Sequence, residues 1–337
     1  MYHIPARPKN RNQTLIERAV KILKATIGLI SNREGLLPRL PFPVEVKSLL
    51  TDFMEVSEIP YADNLDGYVT VEETPGELFY KKECENLRIE GPFLELIRTA
   101  SDLRYSLWGN LGFLCRYTLY LLEKKHRIHN FHACALFDEP KNRLFLILGA
   151  AGSGKTVYLL SGLLRGLKLF STETVHVQIK QDQVTWFMGS LVDNVRWGTL
   201  IHDFPDFLPG EPPPARDHEW QSKIALDLSS YRANPVELAN LESVVVLLPH
   251  IEQGRPGFHL SPIKDPRQAA QALFDNVSQR LTETVILYDR LPLLGFEEKG
   301  LAETRLAALR QLVHHESISQ VAAVLANPRD CWGDLLD

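Results

Sequence analysis

Several features that define whole classes of protein are scarce in this sequence. Its 337 residues include four cysteines, with no CxxC pair and no zinc-finger spacing, which excludes a disulfide framework and a cysteine zinc site. No apolar run approaches the roughly 20 residues that span a bilayer, and no apolar stretch directly follows the polar N-terminus, as a signal peptide would require. Basic residues are not in excess either, since the sequence has 37 Lys and Arg and 42 Asp and Glu. We therefore expect free buried thiols, a cytoplasmic location, no transmembrane segment and no nucleic-acid partner.

What the sequence does contain is the composition of a globular protein, with 45% hydrophobic and 23% charged residues. The length suits one large domain or two moderate ones. In the N-terminal part, apolar residues recur at helical spacing from Thr14 to Ile30, which predicts an amphipathic helix. We expect it to pack on the body of the protein, and a membrane-surface or partner-binding arm is the alternative. Gly67–Val71 is typical of a strand, and the pattern from Phe93 to Lys125 is helical again. Residues 1–125 are therefore expected to form a smaller N-terminal α+β region.

A phosphate-binding sequence lies between an apolar strand and a helix. Leu144–Leu148 is an apolar run of strand length, and the segment from Thr156 to Leu167 has a helical pattern. The residues that satisfy the pattern GxxxxGK[ST] are Gly149, Ala150, Ala151, Gly152, Ser153, Gly154, Lys155 and Thr156. Glycines let backbone N–H groups turn inward as an anion nest, and a helix N-terminus attracts phosphate. Lys155 is expected to reach the β- and γ-phosphates and the Thr156 hydroxyl to bind Mg²⁺, so the sequence predicts binding of ATP or GTP with Mg²⁺.

The acid that completes such a site is less clear. Val285–Asp289 is an apolar strand that ends in an acid, as a Walker-B segment does, but it lies far along the chain from Lys155. Val244–Leu248 is another apolar strand, and it is followed by Pro249 and His250 with no acid. A P-loop NTPase that uses Asp289 as its Walker-B acid is therefore one alternative.

A longer pattern runs from His132 onward. His132 opens a strand, the apolar strand and the glycine loop follow, the next helix ends in Arg165-Gly166, and Ser171-Thr172-Glu173 and a hairpin come after it. This order resembles the HPr kinase/phosphorylase family, whose nucleotide domain is similar in outline to that of phosphoenolpyruvate carboxykinase. The resemblance extends over residues 110–330 and is specific only in its first part. It implies an α/β fold with an HPr kinase/PEPCK-like P-loop nucleotide domain over residues 126–337.

The resemblance also implies roles for individual residues. Lys155 and the loop amides would hold the triphosphate, Thr156 would bind Mg²⁺, and His132 would sit close to the phosphates or the metal. The family carries an acidic pair where this sequence has Thr172 and Glu173, and that pair would contact the metal and take the acceptor's proton. Adjacent strand residues point to opposite faces, so Glu173 replaces the acid missing at 172 only if the strand shifts or bulges. The catalytic candidates are thus His132, Lys155 and Glu173, and the metal candidates are Thr156 and Glu173.

Three interpretations of this departure stay open. Glu173 reaches the metal while His132 or another acid serves as base, or a weak base suffices because phosphoryl transfer is largely positioning and electrostatics, or the domain binds nucleotide without transferring phosphate. The expected function is a kinase-like phosphotransferase that moves the γ-phosphoryl group of ATP to a serine-type hydroxyl. The acceptor, on a peptide, a protein or a small molecule, is implied by the resemblance alone.

A regulatory nucleotide-binding module with a degenerate catalytic site is the alternative from another class of protein. Members of the family form hexamers, so the resemblance also raises the expectation of a homo-oligomer. His129, which lies near His132 in sequence, is expected at the surface.

Overall fold

The computed structural model describes residues 15–37, 52–150, 152–181, 183–210, 212–252, 257–328 and 330–336. Its fold is mixed α/β. The chain divides into two compact units, of which the first comprises Met1–Arg127 and Arg280–Leu301 and the second Ile128–Gln279 and Ala302–Asp337. Residues 280–301 thus group with the first unit rather than with the segments that flank them in sequence.

Strands and helices are numbered along the whole chain. The strands are β1 (Ile16–Ile22), β2 (Ala25–Ser31), β3 (Val56–Ile59), β4 (Gly67–Glu73), β5 (Phe79–Glu83), β6 (Asn86–Gly91), β7 (Ile128–Asp138), β8 (Arg143–Leu148), β9 (Lys168–Ser171), β10 (Thr174–Lys180), β11 (Gln183–Phe187), β12 (Val192–Arg196), β13 (Lys223–Asp227), β14 (Glu237–Ala239), β15 (Ser243–Ile251), β16 (Phe258–Pro262), β17 (Val285–Leu287), β18 (Leu291–Leu293) and β19 (Ile318–Ala326). The helices are α1 (Phe93–Thr99), α2 (Phe113–His126), α3 (Lys155–Leu164), α4 (Trp197–His202), α5 (Pro266–Thr282) and α6 (Lys299–Val313). Among the helices of the described residues, none is both long enough and apolar enough to cross a bilayer.

The first unit is built on a sheet in the order β3-β1-β2-β4-β6-β5. The strand predicted over Gly67–Val71 is confirmed as β4, and helices α1 and α2 confirm the helical pattern after Phe93. The amphipathic helix predicted from Thr14 to Ile30 is wrong within its described part, because β1 and β2 form an antiparallel hairpin there, with Val20 opposite Ile27. Apolar residues four apart suited either structure, but many of them are β-branched, and such side chains pack well on a pleated surface.

The cysteines are free thiols, as predicted. Cys115, Cys134 and Cys331 are buried, but Cys84 is exposed, so the expectation of burial is wrong for that residue. Cys84 has φ 53°, which places it in the tight turn between β5 and β6, where a side chain points to solvent.

The second unit is built on a larger sheet in the order β14-β11-β10-β7-β8-β15-β19-β16, with β9 beside β7. β8, β15 and β19 run parallel to one another, whereas β7 runs antiparallel to β8. The carboxyl ends of the three parallel strands therefore meet at one edge of the sheet, which we call the loop edge because the glycine loop follows β8. Such an edge is where ligands bind in open α/β sheets.

Helix α3 leaves the glycine loop and packs against one face of this sheet. Its residues Tyr158, Leu159 and Leu160 are fully buried in a cluster with Phe145 of β8 and Trp332. The Trp332 ring lies edge-on to Phe145, with centroids 5.0 Å apart, and its Nε1–H donates to the Tyr158 carbonyl oxygen at 3.3 Å. This packing holds α3 so that its first turn stays at the loop edge.

Candidate functional site

The glycine loop makes a close approach to the strand beside it. Gly154, the residue before α3, has φ 100°, and a Cβ added there would lie 2.1 Å from the Ile251 Cγ1 atom at the end of β15. Gly152 has φ 85° with open space around it. Both positions thus use a backbone conformation that favours glycine, and Gly154 also needs the missing side chain. Ala151, which the sequence assigned to the same loop, lies outside the described residues.

The start of α3 has the features of an anion site. Gly154 supplies no side-chain cap, and the first turn carries no acidic residue. The first N–H groups of a helix have no partner within the helix, and they carry partial positive charge. The Lys155 ammonium lies over the loop, where it donates to the carbonyl oxygens of Gly149 at 2.6 Å and Ala150 at 3.1 Å. Positive charge is therefore concentrated at the end of β8.

A carboxylate on a strand that the sequence does not link to the loop contacts the end of the loop. The Thr156 hydroxyl donates to Asp193 Oδ2 at 3.0 Å, and Asp193, on β12, is only 5% exposed. A hydroxyl and a carboxylate are hard oxygen donors, which suit Mg²⁺. The part of the chain that the structure describes holds no group of three or more His, Cys, Asp or Glu able to hold a metal. Mg²⁺ ordinarily completes its shell with phosphate oxygens and water, so it needs few ligands from a protein.

Asp193 belongs to no motif, so the sequence does not indicate it as a site residue. The pattern that could have indicated it is an acid on the buried face of a short strand, since Asp193 and Val195 are buried while Arg196 is exposed. β12 pairs with β13, and Asp193 lies opposite Leu226 in that ribbon. The thiol of Cys134 on β7 donates to the Lys155 carbonyl oxygen at 3.4 Å. Burial raises the pKa of this thiol, so it stays protonated.

The segment expected to carry an acidic pair is a bend between β9 and β10. The premise that residues 172 and 173 alternate along a strand is therefore wrong, because β9 ends at Ser171. Thr172 is buried, and its Oγ1 lies 2.9 Å from the Val192 carbonyl oxygen and 3.1 Å from that of Ser190. Glu173 is half-buried, and its carbonyl oxygen accepts from Ala133 N–H at 3.0 Å. Within the described residues the Glu173 carboxylate forms no hydrogen bond.

His132 lies at the loop edge, where β7 changes partners. It pairs with Thr174 of β10, while its neighbour Ala133 pairs with Leu148 at the end of β8. Asn276 of α5 holds the His132 backbone from both sides, since Oδ1 accepts from the N–H at 2.9 Å and Nδ2 donates to the carbonyl oxygen at 3.0 Å. His132, Glu173 and the glycine loop thus share one edge of the sheet. The catalytic roles of His132 and Glu173 stay predictions.

The expectation for His129 is wrong, and the alternative that depends on Asp289 finds no support. His129 is fully buried rather than at the surface, because β7 is a central strand with β10 and β9 along one edge and β8 along the other. Asp289 is bound within the first unit, where its two carboxylate oxygens accept from the Ser101 N–H at 2.7 Å and the Ser101 hydroxyl at 2.9 Å. β17, which precedes Asp289, pairs with β18, whereas the parallel neighbour of β8 is β15. Asp289 is therefore not on the strand beside the loop, as a Walker-B acid would be.

Comparisons with known proteins give a distant structural similarity. No protein-family model matches the sequence, and no curated protein matches it. Among solved structures, the chain is similar to the HPr(Ser) kinase/phosphatase from Coxiella burnetii, with a TM-score of 0.22 and 16% identity over 54% of this chain and 95% of that chain. A similarity of this extent does not establish an activity for this chain. The specific HPr kinase/PEPCK arrangement stays a prediction beside the mixed α/β fold described above.

Proposed function

We propose that this chain is a kinase-like phosphotransferase that uses ATP or GTP, with residues 126–337 as its nucleotide domain. It transfers the γ-phosphoryl group to a serine-type hydroxyl on a peptide, a protein or a small molecule. The observation that carries this proposal is the contact between Thr156 and Asp193. It places a hydroxyl and a carboxylate 3.0 Å apart at the end of a glycine loop whose lysine lies above it.

The groups around the loop suit a triphosphate. Backbone N–H groups at the start of α3 would bind phosphate oxygens, and the Lys155 ammonium would exchange its contacts with two loop carbonyl oxygens for the more negative β- and γ-phosphates. Thr156 and Asp193 would hold Mg²⁺, with Glu173 as the further candidate that the sequence indicates. When bound with the nucleotide, Mg²⁺ neutralises the charge that develops on the phosphate oxygens.

The transfer step needs an acceptor and a place for its proton. The acceptor hydroxyl oxygen forms a bond to the γ-phosphorus, the bond from that phosphorus to the β-γ bridging oxygen breaks, and the nucleoside diphosphate leaves. The proton of the hydroxyl passes to a base, for which His132 and Glu173 are the candidates at the loop edge. Because phosphoryl transfer depends chiefly on positioning and charge stabilisation, a modest base is sufficient. The resemblance described from the sequence is the support for a serine-type acceptor.

One observation favours a second candidate, a regulatory module that binds nucleotide without transferring phosphate. Thr172 stands where the family pattern has an acid, and its hydroxyl is buried against two backbone carbonyl oxygens. A side chain in that state offers no base to an acceptor. The two candidates share the nucleotide site and differ only in whether the γ-phosphoryl group leaves the nucleotide.

The test is isothermal titration with ATP, with and without Mg²⁺, together with an assay of phosphoryl transfer from γ-labelled ATP to serine-containing peptides. We expect Lys155→Ala to weaken ATP binding more than about tenfold, which is about 1.4 kcal/mol, with the fold intact. Lys168→Ala is the matched control, since it removes the same charge from an exposed position on β9. Unchanged affinity in Lys155→Ala would refute the loop assignment, and tight binding without transfer to any acceptor would favour the regulatory module.

A further inference from the structure

A set of hydrogen bonds joins the bend after β9 to the start of β12. The Thr172 N–H donates to the Ser190 carbonyl oxygen at 2.8 Å, and the Thr172 hydroxyl reaches the carbonyl oxygens of Ser190 and Val192. The Ser190 hydroxyl donates to the same Val192 carbonyl oxygen at 2.8 Å. Thr172 is 2% exposed and Ser190 1% exposed. In such a dry environment hydrogen bonds are strong, and leaving one of these groups unpaired is costly.

These contacts fix the peptide group that precedes Asp193. The Val192 carbonyl belongs to the peptide bond between Val192 and Asp193, and two hydroxyls converge on it from one side. On the other side, pairing with Leu226 of β13 holds the Asp193 backbone. Successive side chains of a strand point to opposite faces. Fixing this peptide therefore fixes the face to which the Asp193 carboxylate turns, which is the face of the Thr156 hydroxyl.

The separation of the two oxygens has a chemical meaning. Adjacent ligands of an octahedral Mg²⁺, each about 2.0–2.1 Å from the metal, lie about 2.9 Å apart. The Thr156 and Asp193 oxygens are 3.0 Å apart. A hydrogen bond sets this separation, which is also close to that of neighbouring ligands of one magnesium ion, so little movement is needed for both groups to bind it.

We infer that Thr172 is a positioning residue that locks the start of β12, so that Asp193 supplies the metal-binding carboxylate that residue 172 does not. This inference rests on the proposed function, because the magnesium ion arrives with the nucleotide. Under this inference Thr172 has a positioning role and is not a sign that the site has lost its acid. The site keeps its acid, which comes from a different strand, and the threonine holds that strand in place.

The experiment measures ATP affinity by isothermal titration over a series of Mg²⁺ concentrations, and in EDTA. Asp193→Asn keeps the shape of the side chain and removes its charge. Thr172→Val removes only the hydroxyl, and Thr172→Ser retains it. Thr185→Val is the matched control, because Thr185 is a buried threonine on β11 of the same sheet. Urea unfolding of each variant shows whether the fold is intact.

Mg²⁺ should raise the ATP affinity of the wild type, and in Asp193→Asn we expect that increase to be smaller by at least about tenfold. The affinity of Asp193→Asn in EDTA should be unchanged or slightly higher. In Thr172→Val the increase in ATP affinity caused by Mg²⁺ should be about three- to tenfold smaller than in the wild type. Thr172→Ser and Thr185→Val should both respond to Mg²⁺ as the wild type does. In the Asp193→Asn background, Thr172→Val should have no further effect on Mg²⁺ dependence, since residues that act through one group are not additive. A threonine with only a structural role would not produce this dependence.

Two results would overturn the inference while the nucleotide site stands. One is a wild-type Mg²⁺ response in Asp193→Asn while Lys155→Ala still abolishes binding. The other is an additive effect of Thr172→Val in the Asp193→Asn background. If the wild-type protein binds no ATP under any condition, the proposed function and the inference fall together. Should Thr172→Val unfold, Ser190→Ala takes its place, because it removes the second hydroxyl from the Val192 carbonyl oxygen.

Discussion

Gly154 offers the sharpest test of how the glycine loop is built. Replacing it with alanine brings two separate penalties. The first is the backbone conformation, because φ 100° is unfavourable for a residue with a Cβ. The second is a collision, because that Cβ would lie 2.1 Å from Ile251 Cγ1 and 3.1 Å from Ile251 Cβ. Gly152 separates the two penalties, since it has φ 85° with nothing within 4 Å of an added Cβ.

The magnitudes follow from these two contributions. A side chain in left-handed backbone costs about 1–2 kcal/mol, so Gly152→Ala should lower the free energy of unfolding by about that much. Overpacking a fitted contact costs about 1–3 kcal/mol more, which brings Gly154→Ala to about 2–5 kcal/mol in total. Ile251→Ala removes Cγ1, the atom that the new Cβ would meet most closely, and leaves only the Ile251 Cβ contact at 3.1 Å. In the double variant, the Gly154→Ala penalty should therefore fall by about 1–3 kcal/mol, back to the conformational cost alone.

The assay is urea unfolding of the four proteins and the double variant, with ATP affinity measured alongside. Gly154→Ala should also weaken ATP binding, because relief of the collision moves the start of α3 away from the loop edge. Equal losses of stability in Gly154→Ala and Gly152→Ala would refute the reasoning. So would a double variant whose loss equals the sum of its two single variants, since the contact with Ile251 would then carry none of the cost.

Three further predictions concern other parts of the molecule. Burial raises the pKa of Glu298, but hydrogen bonds from two lysines and a tyrosine outweigh it and lower the pKa to about 2. This stabilisation is present at neutral pH and is lost as pH falls from about 4.3 towards 2. The side chain is 40% exposed, so Glu298→Gln should cost only about 1 kcal/mol at pH 7, and urea unfolding should show that difference vanish near pH 2. Trp332→Ala should lower the free energy of unfolding by about 3–5 kcal/mol, measured by urea unfolding, and a loss below 1 kcal/mol would show that its buried contacts are not structural. Asp289→Asn should destabilise the first unit by about 1 kcal/mol and leave the Mg²⁺ dependence of ATP binding unchanged in titration, and a change there would revive Asp289 as a Walker-B acid.

The elements that the sequence predicted well are those specified by local signals. The apolar run of β8, the glycines after it and the helix α3 are contiguous, so short-range pattern is enough to find them. The hairpin of β1 and β2 does not follow from the sequence pattern, because apolar residues four apart suit a helix and a strand alike and pairing with β4 decides the outcome.

In the candidate site, too, some residues follow from local sequence and others depend on long-range packing. The loop residues from Gly149 to Thr156 follow from a motif, because they are contiguous in the sequence. Asp193 does not, since its contact with Thr156 depends on how the ribbon of β12 and β13 folds onto the sheet. The burial of His129 likewise depends on which strands flank β7. Both are properties of long-range packing, which a periodic pattern does not encode.

The order of strands beside the glycine loop also determines when the loop can form. β15 and β19, the parallel strands that complete the loop edge, come long after β8 in the sequence, and Gly154 contacts Ile251 only once β15 has paired. Pairings between distant segments require closure of a long loop and form slowly. A newly made chain would thus carry its complete phosphate-binding motif well before that motif has its final shape. A nucleotide would bind only after the sheet has formed, and its binding would stabilise the folded state relative to the unfolded chain.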